Sequence, residues 1–215
     1  LTFPDGVARS NVMLTNEAIV DVTGRNQGDL FVNAANITVD NGSNICAGLG
    51  ASTFCDRTLG TPAGSEQAEA GNIFLSATDT VLISGDETGV RNRVNPDGIG
   101  NQRQPILDIV AGLNDDSDSS NSTDSDPPTD PDADDPIDVL YGSILGSGTQ
   151  VTIADGAQLG TTTEGQGNAG LVFILTEDLT VSNRGIIDSN VFGVDREDQA
   201  GGILVTASGD ILVNA

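Results

Sequence analysis

The chain has 215 residues, enough for one elongated domain with a continuous core. It carries 32 acidic and eight basic residues, all eight of them arginine, and its net charge is −24. This charge argues against a nucleic-acid partner and against anionic membrane surfaces, because both are bound by basic side chains. No apolar stretch is long enough for insertion into a membrane as a helix.

A short pattern recurs four times: a glycine is followed by aliphatic residues two and four positions later. The copies occupy residues 28–34, 71–77, 170–176 and 201–207. Repetition of short segments along one chain is typical of solenoid folds. The interval between the second and third copies is the longest, so we expect it to contain loops or additional coils.

Each copy is followed by further short segments with alternating aliphatic residues. The second segments carry Ile37 and Val39, Val81 and Ile83, Leu179 and Val181, and Ile211 and Val213. Third segments begin near Ile45 and Ile187, and comparable runs (19–23 and 159–163) precede the first and third glycines. Alternation with a period of two predicts strands rather than helices.

Three short strands and three turns in each repeat predict an all-β fold, a parallel β-helix. The alternative is a sandwich of antiparallel hairpins, for which no repeated motif is expected. In the β-helix, the aliphatic residues point inward and stack on their equivalents in neighbouring coils. We expect the opening glycine to occupy a turn with positive φ.

The third position after the glycine holds Phe31, Phe74, Phe173 and Leu204. Alternation directs these side chains away from the interior. Three interpretations are open: a shifted parity that places them in the core, an outer stripe covered by a loop, or an exposed stripe that contacts another subunit. The third interpretation makes these four residues a candidate assembly interface.

The two cysteines, Cys46 and Cys55, are close together in the sequence. In an extracellular protein an even number of cysteines favours a local disulfide, whereas in a cytosolic solenoid both would be free buried thiols. We predict the disulfide. The absence of histidine makes a zinc site at these cysteines a poor alternative.

Residues 114–136 form an acidic insertion rich in Ser, Asp and Pro, which divides the solenoid into coils at 1–113 and at 137–215. Such a composition cannot bury a core and predicts a solvated or disordered loop. Asp130, Asp132 and Asp134 have the alternate spacing that would let three carboxylates converge on a calcium ion. Calcium is therefore the one candidate cofactor, although the helix-loop-helix calcium motif is absent because its required glycine and glutamate are replaced by Asp135 and Tyr141.

A second loop, predicted at 87–104, carries Arg91, Arg93 and Arg103, the only basic cluster. Catalytic signatures are lacking: the chain has no histidine, lysine or tryptophan, and its many acids lie on turns. We therefore predict that the chain is not an enzyme. Asp29, Asn36 and Asn72 lie near the repeat corners, where we expect them to cap turns or to form stacked amide ladders.

Several segments carry the residues of a known repeat type. The segment 165–170, Gly-Gln-Gly-Asn-Ala-Gly, precedes alternating aliphatics and then Leu-Thr-Val-Ser-Asn at 179–183, and the segments 69–77 and 199–203 follow the same pattern. Residues 1–85 and 145–215 thereby resemble the repeats of filamentous-haemagglutinin-like exoproteins of two-partner secretion, in their cyanobacterial form. The resemblance implies a right-handed parallel β-helix, export to the cell surface or the extracellular space, and adhesion or fibre formation.

From these observations we predict a secreted structural protein that forms an extracellular filament or tube by stacking of β-helices, as a homo-oligomer or polymer. Both ends of the sequence look cut, which favours a mature or trimmed piece of a longer secreted protein. The first alternative is a surface adhesin fragment that binds a glycan or a receptor. A polysaccharide-active enzyme is the third interpretation.

Overall fold

The computed structural model describes residues 8–24, 28–49, 70–94, 143–164, 170–192 and 201–215. Within these ranges the regular secondary structure consists of β-strands alone, and they form two sheets. Sheet A contains β1 (Val12–Leu14), β3 (Leu30–Asp40), β5 (Ile73–Ser84), β7 (Ile144–Ala154), β9 (Val172–Val181), β11 (Ile203–Ala207) and β12 (Ile211–Val213). Sheet B contains β2 (Ile19–Asp21), β4 (Asn44–Leu49), β6 (Gly89–Val94), β8 (Gln158–Thr163) and β10 (Ile186–Val191).

Along the chain, successive strands alternate between the two sheets from β1 to β11. We call each sheet-A strand together with the sheet-B strand that follows it a layer; β11 and β12, which both pair with β9, form the sixth layer. All described strand pairs are parallel and join neighbouring layers. The antiparallel-hairpin alternative is therefore wrong for the described residues, and the arrangement is consistent with a solenoid.

The long middle interval of the sequence contains one complete additional layer, formed by β7 and β8. Ile144 of β7 pairs with Ile73 on one side and with Val172 on the other. The sequence pattern did not reveal this layer because the second aliphatic position of its repeat is occupied by Gly146. The acidic insertion at 114–136 lies between β6 and β7 in the sequence, outside the described residues.

In the second to fifth layers the first two short strands predicted for each repeat are joined in one long strand of sheet A, whereas in the sixth layer they remain separate as β11 and β12. In β3 the two halves meet at a register shift between Ala34 and Asn36, and β5 has one more residue than β3 across this shift. The prediction of three separate strands per repeat is therefore wrong for the second to fifth layers, each of which has one long and one short strand. A bulge lets both halves keep their aliphatic residues on the same face.

The core lies between the two sheets and is built from the alternate positions that the sequence pattern predicts. Ile37, Ile83, Ile144 and Ile174 of sheet A are completely buried, and Ile45 of sheet B faces them. A fully buried Val, Leu or Ile side chain contributes about 1.5–3 kcal/mol. Stacking of equivalent aliphatic residues in successive layers therefore supplies most of the favourable energy of this fold.

The corner that leads from sheet A to sheet B is a tight turn with positive φ angles. Asn41 and Gly42 have φ of 48° and 76°, and Asp155 and Gly156 have φ of 55° and 82°. Asn, Asp and Gly tolerate this left-handed conformation better than other residues. Because the corner recurs in successive layers, each sheet-B strand starts in register with the one below it.

The glycines that open the repeats serve a different purpose from the one predicted. Gly28 and Gly71 are not in the positive-φ region; instead, a Cβ atom at residue 71 would overlap the backbone of Gly28. The repeat needs glycine here because the backbones of adjacent layers approach too closely for a side chain.

Polar side chains link the layers just before each sheet-A strand. An oxygen of Asp29 accepts the Asn72 N–H at 2.7 Å, and Asn72 Oδ1 accepts the Ser143 N–H at 3.0 Å. Ser143 Oγ in turn accepts the N–H of Leu171 at 2.9 Å. Asp29, Asn36 and Asn72 were expected to cap turns or to form stacked amide ladders. Asp29 and Asn72 form a ladder of side-chain oxygens that accept backbone N–H groups of the next layer, and Asn36 forms a side-chain ladder with Asn11 and Thr80.

Candidate functional site

The outer face of sheet A carries one continuous column of large apolar side chains. Phe31, Phe74, Leu145, Phe173 and Leu204 are paired in register through five successive layers. The residues on either side of each of these positions point inward, and in the third to fifth layers they are buried. The four residues of the predicted interface therefore lie on the outer face and not in the core, and Leu145 belongs to the same column.

Within this apolar column, the rings of Phe31 and Phe74 stack with centroids 4.5 Å apart. Phe31 remains 59% exposed, whereas Phe74 and Phe173 are half-buried. Leu175, on the same face of β9, is also exposed. The apolar column is therefore an accessible surface at its Phe31 end, and its role in assembly stays a prediction.

The outer face of sheet B is polar and lies at the floor of a groove of about 590 Å³. The groove extends from Ile19 in the first layer to Phe192, which directly follows β10 in the fifth layer. At a spacing of about 4.8 Å between neighbouring strands, five strands extend over roughly 19 Å. The groove is therefore long enough for an extended ligand that crosses all five strands.

Two glycines lower the floor of this groove. Gly89 lies beneath the guanidinium of Arg91, and Gly160 lies beneath the carboxylate of Asp188; a Cβ atom at either glycine would overlap these groups. The charged side chains consequently lie flat along the sheet instead of standing upright in the groove.

A chain of hydrogen bonds crosses the groove floor from layer to layer. Arg91 donates to Asn44 Oδ1 and, from Nε, to Gln158 Oε1 at 3.0 Å. Gln158 Nε2 donates to both carboxylate oxygens of Asp188 at 3.1 and 3.0 Å, and Asn190 Nδ2 donates to Asp188 Oδ2 at 2.5 Å. These bonds fix the orientation of five polar side chains before any ligand binds, which lowers the entropic cost of recognition.

The side of the groove at the carboxyl ends of β6, β8 and β10 contains an ion pair and an exposed aromatic ring. Arg93 pairs with Glu164, and the backbone N–H of Phe192 donates to Thr163 O at 2.7 Å. Phe192 is 67% exposed. Among the described residues, the groove lining includes two arginines and four carboxylates, those of Glu17, Glu87, Glu164 and Asp188. The groove therefore offers mixed hydrogen-bonding groups with a small excess of negative charge.

The arginine cluster was predicted to lie on a loop, and this prediction is wrong for Arg91 and Arg93, which are on strand β6. The signal for a strand was present in the sequence, since Val90, Asn92 and Val94 alternate with the two arginines and are buried. Buried Asn92 interrupts this pattern; its side-chain amide donates to Gly71 O at 2.6 Å, while its Oδ1 has no hydrogen-bond partner among the described residues. Arg103 lies outside the described residues.

Of the remaining predicted site residues, some lie outside the described ranges. Cys46 is 2% exposed beneath the groove and is disulfide-bonded, while Cys55 lies outside the described residues. Asp130, Asp132 and Asp134 also lie outside them, so calcium binding there stays a prediction. In the described ranges, no group of three or more Cys, Asp or Glu side chains could hold a metal ion, and no helix is long and apolar enough to cross a membrane.

Comparison of the chain with protein-family models, with curated proteins and with solved structures gives no match. The likeness to filamentous-haemagglutinin-like repeats therefore rests on the sequence motifs alone. The function proposed below therefore rests on the two parallel sheets and the polar groove.

Proposed function

We propose that the chain is a right-handed parallel β-helix of an exported structural protein, and that copies stack end to end into an extracellular filament or tube. The proposed role is mechanical and not catalytic. The observation that carries this proposal is that the inward-facing columns run in register from the first layer to the sixth.

In the sixth layer, inward-facing positions are exposed although their equivalents in the fifth layer are buried. Ile211 and Val213 are 57% and 71% exposed, whereas their pairing partners Leu179 and Val181 are 3% and 8% exposed. Ile203 is likewise 47% exposed, above a completely buried Val172. A further parallel layer placed on the sixth would cover these core-type side chains and pair with its strands.

The first layer of a second copy offers a matching surface. Val12 and Leu14 of β1 occupy the same columns as Ile211 and Val213, because each column continues in register through β3, β5, β7 and β9. Placing β1 of one copy on β12 of another would continue these aliphatic columns. Head-to-tail contacts of this kind do not close, so they generate an open polymer.

Two further observations support this proposal. The apolar column on sheet A would become a continuous stripe along a stack, suited to lateral contacts between filaments. The disulfide-bonded Cys46 fits an oxidising location outside the cytoplasm.

The test is assembly of the purified chain, followed by negative-stain microscopy and sedimentation velocity over a range of concentrations. Stacking predicts concentration-dependent polymers about as wide as one solenoid. In the variant Val213→Asp, a buried unpaired carboxylate at the contact should leave the protein monomeric.

The matched control is Leu212→Asp, which places the same charge on the neighbouring outward-facing residue of β12, itself 50% exposed. This variant should still form end-to-end polymers. A wild-type chain that stays monomeric at high concentration, or two variants that behave alike, would contradict stacking through the sixth layer.

The groove over sheet B favours a second candidate function, that of a surface adhesin which binds a glycan or a receptor. Its support is the pre-oriented polar floor between Asn44 and Asn190. Attachment of the monomeric chain to cells or to a glycan array, without polymer formation, would favour this candidate over the filament.

A further inference from the structure

We propose that the groove over sheet B binds a linear neutral oligosaccharide, held by hydrogen bonds from the floor and stacked on Phe192. This inference rests on the adhesin candidate and is independent of end-to-end stacking. It assigns a ligand class to the groove and a role to individual residues in it.

The shape of the groove favours an extended ligand. It reaches from the first to the fifth layer and has a volume of about 590 Å³, within the usual range of roughly 300–1,000 Å³ for ligand sites. The floor is the face of a sheet whose backbone groups are used in parallel pairing on both sides of β4, β6 and β8. A peptide therefore cannot add to these strands through its backbone, and recognition has to come from side chains.

The charges of the groove favour a neutral ligand. Arg93 is paired with Glu164, and the Asp188 carboxylate is held by the amides of Gln158 and Asn190. With four carboxylates against two arginines among the described residues of the lining, and a net charge of −24 on the chain, an anionic polymer would be repelled.

The chemistry of the floor suits hydroxyl groups. Amide, carboxylate and hydroxyl side chains at Gln158, Thr162, Asp188 and Asn190 present donors and acceptors side by side. A sugar hydroxyl both donates and accepts, so it can bind between such groups without separating an ion pair. Asn190 and Thr162 are direct partners in the pairing of β10 with β8, so their side chains lie on the same face of the sheet in adjacent layers.

Phe192 supplies the apolar part of the site. Its ring is 67% exposed, and the hydrogen bond from its backbone to Thr163 fixes its position at the end of the groove. An exposed aromatic ring beside a polar floor provides a surface on which the apolar face of a sugar ring can lie.

The experiment is calorimetric titration of the full chain with neutral hexasaccharides of β-glucose, β-mannose, β-xylose and α-glucose, and in parallel with hexagalacturonate, a heparin hexasaccharide and spermine. We expect at least one neutral hexasaccharide to bind. Phe192→Ala and Thr162→Val should each weaken that binding by about tenfold, which corresponds to ~1.4 kcal/mol. Phe192→Trp should preserve it, because the larger ring retains the stacking surface.

Two matched controls lie on the outer face of sheet A, Phe31→Ala and Thr152→Val, which make the same changes outside the groove. They should leave the affinity unchanged. Thermal melting of each variant shows whether it folds. Phe192→Leu removes the aromatic ring but keeps an apolar side chain, so it distinguishes stacking on a ring from simple apolar contact.

The proposal is overturned if none of the neutral hexasaccharides binds, if only the anionic glycans or spermine bind, or if the groove variants and the controls behave alike. Binding of an anionic glycan alone would refute the ligand class but leave the adhesin candidate standing. Polymer formation is recorded separately by microscopy, so stacking can fail or succeed without affecting this result.

Discussion

The ring of Phe31 lies flat on the ring of Phe74, with centroids 4.5 Å apart and planes 1° from parallel. The pair joins the second and third layers on the outside of sheet A. Parallel pairing places identical positions of adjacent repeats directly above one another, so two phenylalanines at the same position in the repeat are brought into contact.

We expect Phe31→Ala to lower the free energy of unfolding by about 0.5–1.5 kcal/mol, the usual contribution of an aromatic pair. Urea denaturation measures the change. Met13→Ala is the control, because Met13 is equally exposed on the same sheet. A loss at Phe31 no larger than that at Met13 would show that the stacked pair contributes nothing.

Asn72→Ala removes the side-chain oxygen that accepts the buried Ser143 N–H. Loss of a buried acceptor costs about 1–3 kcal/mol, because the donor has been taken out of water. Chemical denaturation should show this decrease. The same substitution at Asn36, which bonds to Asn11 and Thr80 on the outer face, should cost less because water can replace its partners; equal losses would contradict this view of the ladder.

Gly71→Ala introduces a Cβ atom that overlaps the backbone of Gly28 in the layer below. Because the obstacle is backbone and not a flexible side chain, the layers have to separate locally. We expect a loss of stability in the upper part of the range of about 1–3 kcal/mol that is typical of overpacking. A melting temperature equal to that of the wild type would refute the close approach of these two glycines.

Gly146→Ala should have the opposite effect. Gly146 is buried and inward-facing between Leu75 and Ile174, yet a Cβ atom there would meet no other atom within 4 Å. The substitution fills this space and reduces the freedom of the unfolded chain, so we expect a gain of about 0.4–1 kcal/mol. Together with Gly71→Ala, it compares the same chemical change at two glycines; a decrease in melting temperature for Gly146→Ala would contradict the open space.

Much of the fold could be predicted from the sequence because strand alternation is a local property. The spacing of Ile37 and Val39, and of Leu179 and Val181, fixed which side chains point inward, and their burial follows from that parity. The ladder through Asp29 and Asn72 was predictable for the same reason, since residues at the same place in each repeat lie one above another.

The fourth layer and the groove could not be predicted in this way. Gly146 interrupts the aliphatic pattern of β7, and its neighbours in the adjacent layers, Leu75 and Ile174, keep the strand in place by parallel pairing. In sheet B, buried Asn92 hid a strand, because only the tertiary structure places its side-chain amide against the carbonyls of Gly71 and Ser143.

The sequence by itself therefore determined where the repeated aliphatic segments lie and that Phe31, Phe74, Phe173 and Leu204 share one position of the repeat. That this position faces outward was decided by the tertiary structure. Only the tertiary structure decided that Arg91, Gln158 and Asp188, which are far apart in the sequence, lie side by side on one floor. The physical reason is that alternation depends on neighbouring residues within one strand. The lateral order of a sheet depends on how many residues the chain uses to return to it, and this number varies from layer to layer.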